Sequence, residues 1–121
     1  METNMNIAAY ILTGLLAVAA FGSALGKLTK QAAVMETMQH VKVQPWQIPI
    51  LAIIELCAVG GLALVVINHQ IAMYAAIGLV LYFVGAVVAH LKAGDNIKAY
   101  FPALALALYS TAVALVLSSA F

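Results

Sequence analysis

The sequence contains no arginine and only one cysteine among its 121 residues. Without arginine, and with a formal net charge of +1, the chain lacks the basic surface on which nucleic-acid binding depends. The single Cys57 excludes an internal disulfide and a CxxC redox pair. Charged residues make up 7% of the chain, against roughly 25% in an ordinary soluble domain. The composition therefore argues against a water-soluble protein.

What the chain does contain is hydrophobic sequence, which accounts for 66% of its residues. Four apolar runs stand out, and each is about 20 residues long, enough to cross roughly 30 Å of hydrocarbon. Together they occupy most of the chain and leave no room for a second, water-soluble domain. We therefore predict an all-α integral membrane four-helix bundle, with one domain over residues 1–121. The runs are Ile7 to Gly26, Ile48 to Ile67, Ile71 to Leu91 and Phe101 to Phe121.

The basic residues are distributed on one side of this predicted bundle. Every lysine lies either between the first and second runs or between the third and fourth. Short lysine-rich loops stay on the cytoplasmic side of a membrane. We therefore expect a multi-pass protein of the inner (plasma) membrane with both termini outside. The lysines are Lys27, Lys30, Lys42, Lys92 and Lys98.

The segment from Leu28 to Gln44, between the first two runs, has its own periodicity. Its apolar residues recur at intervals of three and four, which is typical of an amphipathic helix. Such a helix lies in the membrane interface. We expect Pro45 to end it and Trp46 to anchor the following turn at the interface. The alternatives are a plain connector and a gate or docking surface.

Small residues form stripes along several of the predicted membrane helices. Gly22 and Gly26 have the GxxxG spacing that lets a neighbouring backbone approach closely. In the third run, Gly78 and Gly85 flank Tyr82 on one face, so another helix or a ligand can approach its ring. Close packing between the helices of one chain is the preferred interpretation. The same small-residue faces also suggest contacts between chains in a homo-oligomer.

Glu55 is the one ionisable residue deep inside an apolar run, roughly 10 Å from its nearer end. A carboxylate in hydrocarbon is costly unless it is protonated, paired or facing water, so an intramembrane acid is a functional-site hypothesis by default. The alternative is a structural role, in which a protonated Glu55 makes a hydrogen bond between helices.

Other polar residues at similar depths extend this hypothesis to a ligand-binding site. Each is counted inward from the lysine-bearing end of its run. The lysines have the alternative of extending outward to lipid headgroups, and His90 has the alternative of a simple interface residue. The predicted ligand-binding residues are Glu55, Tyr82, His90, Lys27, Ser23 and Tyr109.

Familiar catalytic and metal-binding motifs do not occur. The chain has no GxSxG elbow, no phosphate-binding glycine loop before a lysine and no HExxH. His40, His69 and His90 do not form a zinc site together, because the predicted topology puts His69 on the opposite side. No nucleophile can be paired with a base from spacing alone. We predict no catalytic residue and no metal site.

Several short segments, taken in order, carry a family resemblance. With this order and spacing, the chain resembles the DoxX-like family of small bacterial four-helix membrane proteins, part of a superfamily that includes the MauE-type proteins. The resemblance spans nearly the whole chain. The segments are Phe21 to Leu28, Glu55-Leu56 with Gly60-Gly61, Gly85-Ala86 through His90-Leu91 with Gly94-Asp95, and Pro102 at the start of the fourth run.

The resemblance implies a four-helix bundle and directs attention to Lys27, Glu55 and His90. It also implies association with respiratory or redox complexes, such as thiosulfate to quinone electron transfer and thiol or catechol stress systems. Because this chain lacks a cysteine pair and a haem-type ligand arrangement, we do not expect it to transfer electrons by itself.

Three functions stay open at this point. We favour an accessory protein or subunit of a membrane redox system that binds a quinone or lipid, with membrane lipids and redox-complex proteins as its partners. The second is a small proton-coupled exporter, although in tiny four-helix exporters the membrane glutamate lies in the first helix. The third is a structural or assembly subunit without a ligand. An enzyme acting alone is the least supported class.

Overall fold

The computed structural model describes residues 2–120 and the side chains of residues 6–119. Phe121, with which the fourth apolar run was expected to end, lies outside the described residues. A turn of 3-10 helix, Leu64–Val66, follows α3. The α-helices are α1 (Glu2–Leu28), α2 (Ala32–His40), α3 (Gln47–Ala63), α4 (His69–Lys92) and α5 (Ile97–Ala120).

Four of these segments are long and apolar enough to cross a membrane, which confirms the predicted all-helical architecture. They are Asn6–Leu28, Gln47–Val66, His69–Lys92 and Ile97–Ser119. Their outward faces are apolar, since Val18 is 70% exposed and Leu108 is 64% exposed. The charged Glu55, in contrast, is 0% exposed. Apolar side chains outside and a charge inside are what a lipid solvent requires.

The four membrane helices form a closed ring in which α1 contacts α3, α3 contacts α4, α4 contacts α5 and α5 contacts α1. Small residues fill much of the centre, where alanines let the backbones approach. Larger leucines occupy the remaining space. The fully buried members include Ala9, Ala20, Ala72, Ala76, Leu16, Leu62 and Leu117.

The helix between the first two spans is shorter than the periodicity predicted. We expected one helix over Leu28 to Gln44 ended by Pro45, but α2 has only nine residues, Ala32–His40. The backbone breaks at Lys30 and Lys42, whose φ angles are 55° and 66°. This left-handed conformation cannot continue a right-handed helix. No residue of α2 is buried.

The predicted glycine stripes make close contact only in part: a Cβ on Gly26 would lie 3.2 Å from Cγ2 of Val34 in α2, but the other glycines of these stripes have open space beside them. A Cβ built on Gly22 or on Gly85 meets no other atom within 4 Å, because both glycines face a cavity. The tightest glycine contact is at Gly61, where a Cβ would lie 2.8 Å from the Cβ of Ala75. The close approach therefore joins α3 to α4.

The last helix begins earlier than the apolar run that predicted it. Because α5 starts at Ile97, Pro102 lies inside the helix and does not open it. The earlier start also changes depth along the bundle. Tyr109 lies twelve residues past Ile97, or about 18 Å, whereas Glu55 lies eight residues past Gln47, or about 12 Å.

Candidate functional site

A buried ion pair joins α1 to α3. The Lys27 Nζ atom lies 2.7 Å from Oε1 of Glu55, and the two side chains are 7% and 0% exposed. The same ammonium donates a second hydrogen bond to the Ser23 hydroxyl oxygen, at 2.8 Å. Lys27 therefore neutralises Glu55 within the membrane span and does not extend outward to lipid headgroups.

The helical geometry of α1 explains why Lys27 points inward. Side chains on an α-helix lean toward its N-terminus, so a lysine in the last turn of α1 leans back into the span. Ser23 lies four residues earlier and hence on the same face. The negative end of the helix dipole also favours a cation at this position.

The other oxygen of Glu55 is unusual. Among the described residues, Oε2 has no hydrogen-bond partner. Tyr82 of α4 is near enough to interact with the Glu55 charge, and Nζ of Lys27 lies 5.7 Å from the centre of the Tyr82 ring. Three helices thus contribute to one polar cluster, which we call the Lys27 cluster: Ser23, Lys27, Glu55 and Tyr82.

A cavity of about 710 Å³ adjoins this cluster at the lysine-bearing end of the bundle. Its walls come mainly from α1, α4 and α5, and α2 covers it. Most of the lining is apolar, and Lys27, Ser23 and Tyr82 lie on its wall. Glu55 does not line it, so this carboxylate acts through Lys27. The apolar lining includes Val34, Met38, Leu81, Phe83, Ala103 and Leu106.

A second polar contact fastens α2 to the bundle. The Asp95 carboxylate lies between two imidazoles, with Oδ1 at 2.6 Å from Nε2 of His40 and Oδ2 at 2.7 Å from Nδ1 of His90. Gly94, at a φ of 79°, makes the turn that places Asp95 there. We call this arrangement the Asp95 clasp, and it holds the last turn of α2 beside the cavity.

The clasp also sets the ionisation of Asp95, which lies between the third and fourth spans. Hydrogen bonds from His90 and then from His40 hold the pKa of this carboxyl below its usual value. A second hollow, of about 560 Å³, borders the clasp and includes Glu36 in its wall. Among the described side chains, no group of three or more His, Cys, Asp or Glu residues is arranged to hold a metal ion.

The predicted ligand-site residues are only partly brought together. Glu55, Tyr82, Lys27 and Ser23 form the Lys27 cluster. His90 lines the cavity beside this cluster, but its Nδ1 atom is hydrogen-bonded to the Asp95 carboxylate. Tyr109 is elsewhere, because its hydroxyl donates to the Leu12 carbonyl oxygen at 2.8 Å.

Sequence reasoning missed the Asp95 clasp. The contact between His90 and Asp95 does have a local signal in the sequence, because a glycine such as Gly94 just past the last helical residues often ends a helix with a left-handed turn. The partner His40 lies 55 positions from Asp95, and no local pattern pairs them. At Gly85 the sequence had left open the approach of a helix or a ligand, whereas at Gly22 it predicted only close helix packing; both glycines line the cavity.

The comparison with known proteins agrees with this architecture. The model of the DoxX-like family matches residues 11–115, a range that contains the Lys27 cluster and the Asp95 clasp. No curated protein and no solved structure gives a match. Because the family match covers most of a chain with four candidate membrane spans, this small multi-pass membrane protein belongs to the DoxX-like family.

Proposed function

We propose that this protein is an accessory protein or subunit of a membrane redox system, and that it binds one quinone or lipid in the cavity beside the Lys27 cluster. The observation that carries the proposal is the cavity itself. Ligand pockets typically have volumes of roughly 300–1,000 Å³, with mostly apolar walls and a few polar groups. A volume of about 710 Å³ with Lys27 on the wall fits that description.

The glycines of the cavity wall support the same proposal. Gly22 on α1 and Gly85 on α4 both line the cavity, and neither has another atom where its Cβ would be. A side chain at either position would occupy the space that a ligand needs. The glycines therefore keep the cavity wide next to the Tyr82 ring.

The redox part of the proposal rests on the family resemblance. Because Cys57 is the only cysteine, the chain has no cysteine pair with which to transfer electrons by itself. We therefore infer that it holds the ligand for a partner protein. We further propose an inner-membrane location with the lysine-bearing end in the cytoplasm and both termini outside, on the basis of the lysine distribution. A C-terminal reporter fusion that is active only on the outer side tests this orientation.

Native mass spectrometry of the protein extracted in mild detergent tests the proposed ligand. The wild type is compared with Gly85→Leu, which fills the cavity, and with Gly78→Leu as the matched control. Gly78 also lies on α4 and also has no atom near its Cβ position, but it does not line this cavity. We expect a bound hydrophobic molecule in the wild type and in Gly78→Leu, and its loss in Gly85→Leu.

Two outcomes contradict the proposal. Equal occupancy in Gly85→Leu and Gly78→Leu shows that the molecule binds outside the cavity. Stoichiometric partner chains without any small molecule, in all three forms, indicate a structural subunit. Copurified oxidoreductase chains together with a bound molecule support both parts of the proposal.

A further inference from the structure

Among the hydrogen-bonding side chains on the cavity wall, the buried Lys27 and its neighbour Ser23 have donors left for the polar head of a ligand. A lysine ammonium has three N–H donors, and Lys27 uses one for Glu55 and one for Ser23. No oxygen or nitrogen atom of the described residues accepts the third, and the Tyr82 ring centre lies 5.7 Å from the ammonium. Lys27 is only 7% exposed, so bulk water does not satisfy this donor. The Ser23 hydroxyl, whose oxygen accepts from Lys27, has its own hydrogen left to donate.

The charges around Lys27 further restrict the polar head that a ligand of this cavity can carry. Glu55 neutralises Lys27 at 2.7 Å, and among the described side chains no Asp or Glu lines the cavity. An anionic head would approach an ammonium that already has its counterion and would lie near the Glu55 charge. A cationic head would face Lys27 directly. Either charged head would lose its hydration on entering the cavity and would find no uncompensated opposite charge there, which is costly.

We propose that the cavity selects a neutral carbonyl oxygen on an apolar body, which accepts hydrogen bonds from Lys27 and Ser23. This inference rests on the proposed function, whose site it describes in more detail. The shared chemistry has two sources in a membrane, namely a quinone ring and the ester group of an uncharged acylglycerol. The structure assigns the acceptor head, and the experiment identifies its source.

The test uses the whole protein in lipid nanodiscs and a set of probes with equal chain length. The probes are a long-chain methyl ketone, the matching carboxylate, the matching ammonium and the plain hydrocarbon. We expect the ketone to bind about tenfold or more tightly than the hydrocarbon, because a hydrogen bond to a charged group contributes about 1.5–3 kcal/mol and each 1.4 kcal/mol is about tenfold in affinity. Competition by a short-chain quinone or by a diacylglycerol then identifies the source.

A charge variant gives a second, independent readout. Glu55→Gln removes the counterion but keeps an oxygen that accepts from Lys27. The ammonium then carries an unbalanced charge on the cavity wall, and we expect the preference to change from the ketone to the carboxylate. Thr13→Val is the control variant, since Thr13 is buried but does not line the cavity, and it should keep the wild-type order.

The outcomes separate this inference from the proposed function. If no probe binds the wild type, and neither the quinone nor the diacylglycerol binds it, the proposed ligand-binding function itself fails. If probes bind but the carboxylate or the ammonium exceeds the ketone, or the hydrocarbon equals it, the cavity is a ligand site and the carbonyl assignment is wrong. If the Glu55→Gln order stays that of the wild type, Lys27 does not contact the head and the assignment is also wrong.

Discussion

The Lys27–Glu55 pair should dominate the energetics of the lysine-bearing end. We expect Lys27→Met to lower the free energy of unfolding by about 3–5 kcal/mol, because it leaves a buried carboxylate without its partner. Glu55→Gln should cost less. The substitution keeps an amide oxygen that accepts a hydrogen bond from Lys27, and the ammonium keeps its hydrogen bond to Ser23 at the cavity wall.

The magnitude follows from the geometry of the pair. At 2.7 Å, two unit charges attract by about 6 kcal/mol at an effective dielectric constant of about 20. Desolvation of the two ions offsets much of this attraction. The double variant Lys27→Met/Glu55→Gln removes both charges together. It should therefore be more stable than Lys27→Met alone, with a coupling energy of at least about 2 kcal/mol.

The assay is equilibrium unfolding in mixed detergent micelles of the wild type, both single variants and the double variant. Lys98→Met is the matched control, because Lys98 is an exposed lysine at the same end and should change stability by less than about 0.5 kcal/mol. Additive single-variant effects, within about 0.5 kcal/mol, would refute a buried, coupled ion pair.

Three further predictions concern other parts of the bundle. Gly61→Ala should cost about 1–3 kcal/mol in unfolding assays, since its Cβ would meet Ala75 at 2.8 Å; Gly60→Ala, with open space, is the control and should be nearly neutral. Thr13→Val should raise the melting temperature, because the buried Thr13 hydroxyl has no partner among the described residues and leaving it unsatisfied costs about 1–3 kcal/mol; a lower melting temperature contradicts this. Because the pKa of Asp95 is lowered in the folded state, its carboxylate stabilises the fold above pH ~4 and stops doing so as the pH falls further; the stability gap between wild type and Asp95→Asn should close there, and a gap independent of pH would be inconsistent.

The membrane helices were predictable because hydrophobic length alone determines them. A run of about 20 apolar residues has few alternatives in a bilayer. Their ends were less predictable. The run beginning at Phe101 misses the first turn of α5, since Ile97 to Tyr100 includes Lys98 and does not read as apolar. Helices at the interface continue into polar sequence, which hydropathy does not register.

The site was predictable only as far as chemistry demands a partner. A carboxylate as deep as Glu55 needs a compensating charge or proton, and Lys27 was one of few groups able to supply it. The glycines show the limit of this reasoning. GxxxG spacing indicates that a helix backbone is accessible, but it does not predict whether another helix or a ligand occupies the space beside it. At Gly22 and Gly85 that space belongs to the cavity.

The two polar features of the lysine-bearing end have complementary roles. The Lys27 cluster lies on the cavity wall and supplies hydrogen-bond donors, whereas the Asp95 clasp secures α2, the helix that covers the cavity. Because α2 buries no residue of its own, little apolar packing holds it in place. Lys30 and Lys42, both in left-handed conformations, lie just beyond its two ends, where the backbone turns away from the helix. Loss of the clasp should therefore loosen the cover while the ion pair stays intact, so Asp95→Asn should raise the proteolytic sensitivity of residues 29–44. An unchanged cleavage rate would mean that the clasp does not hold α2.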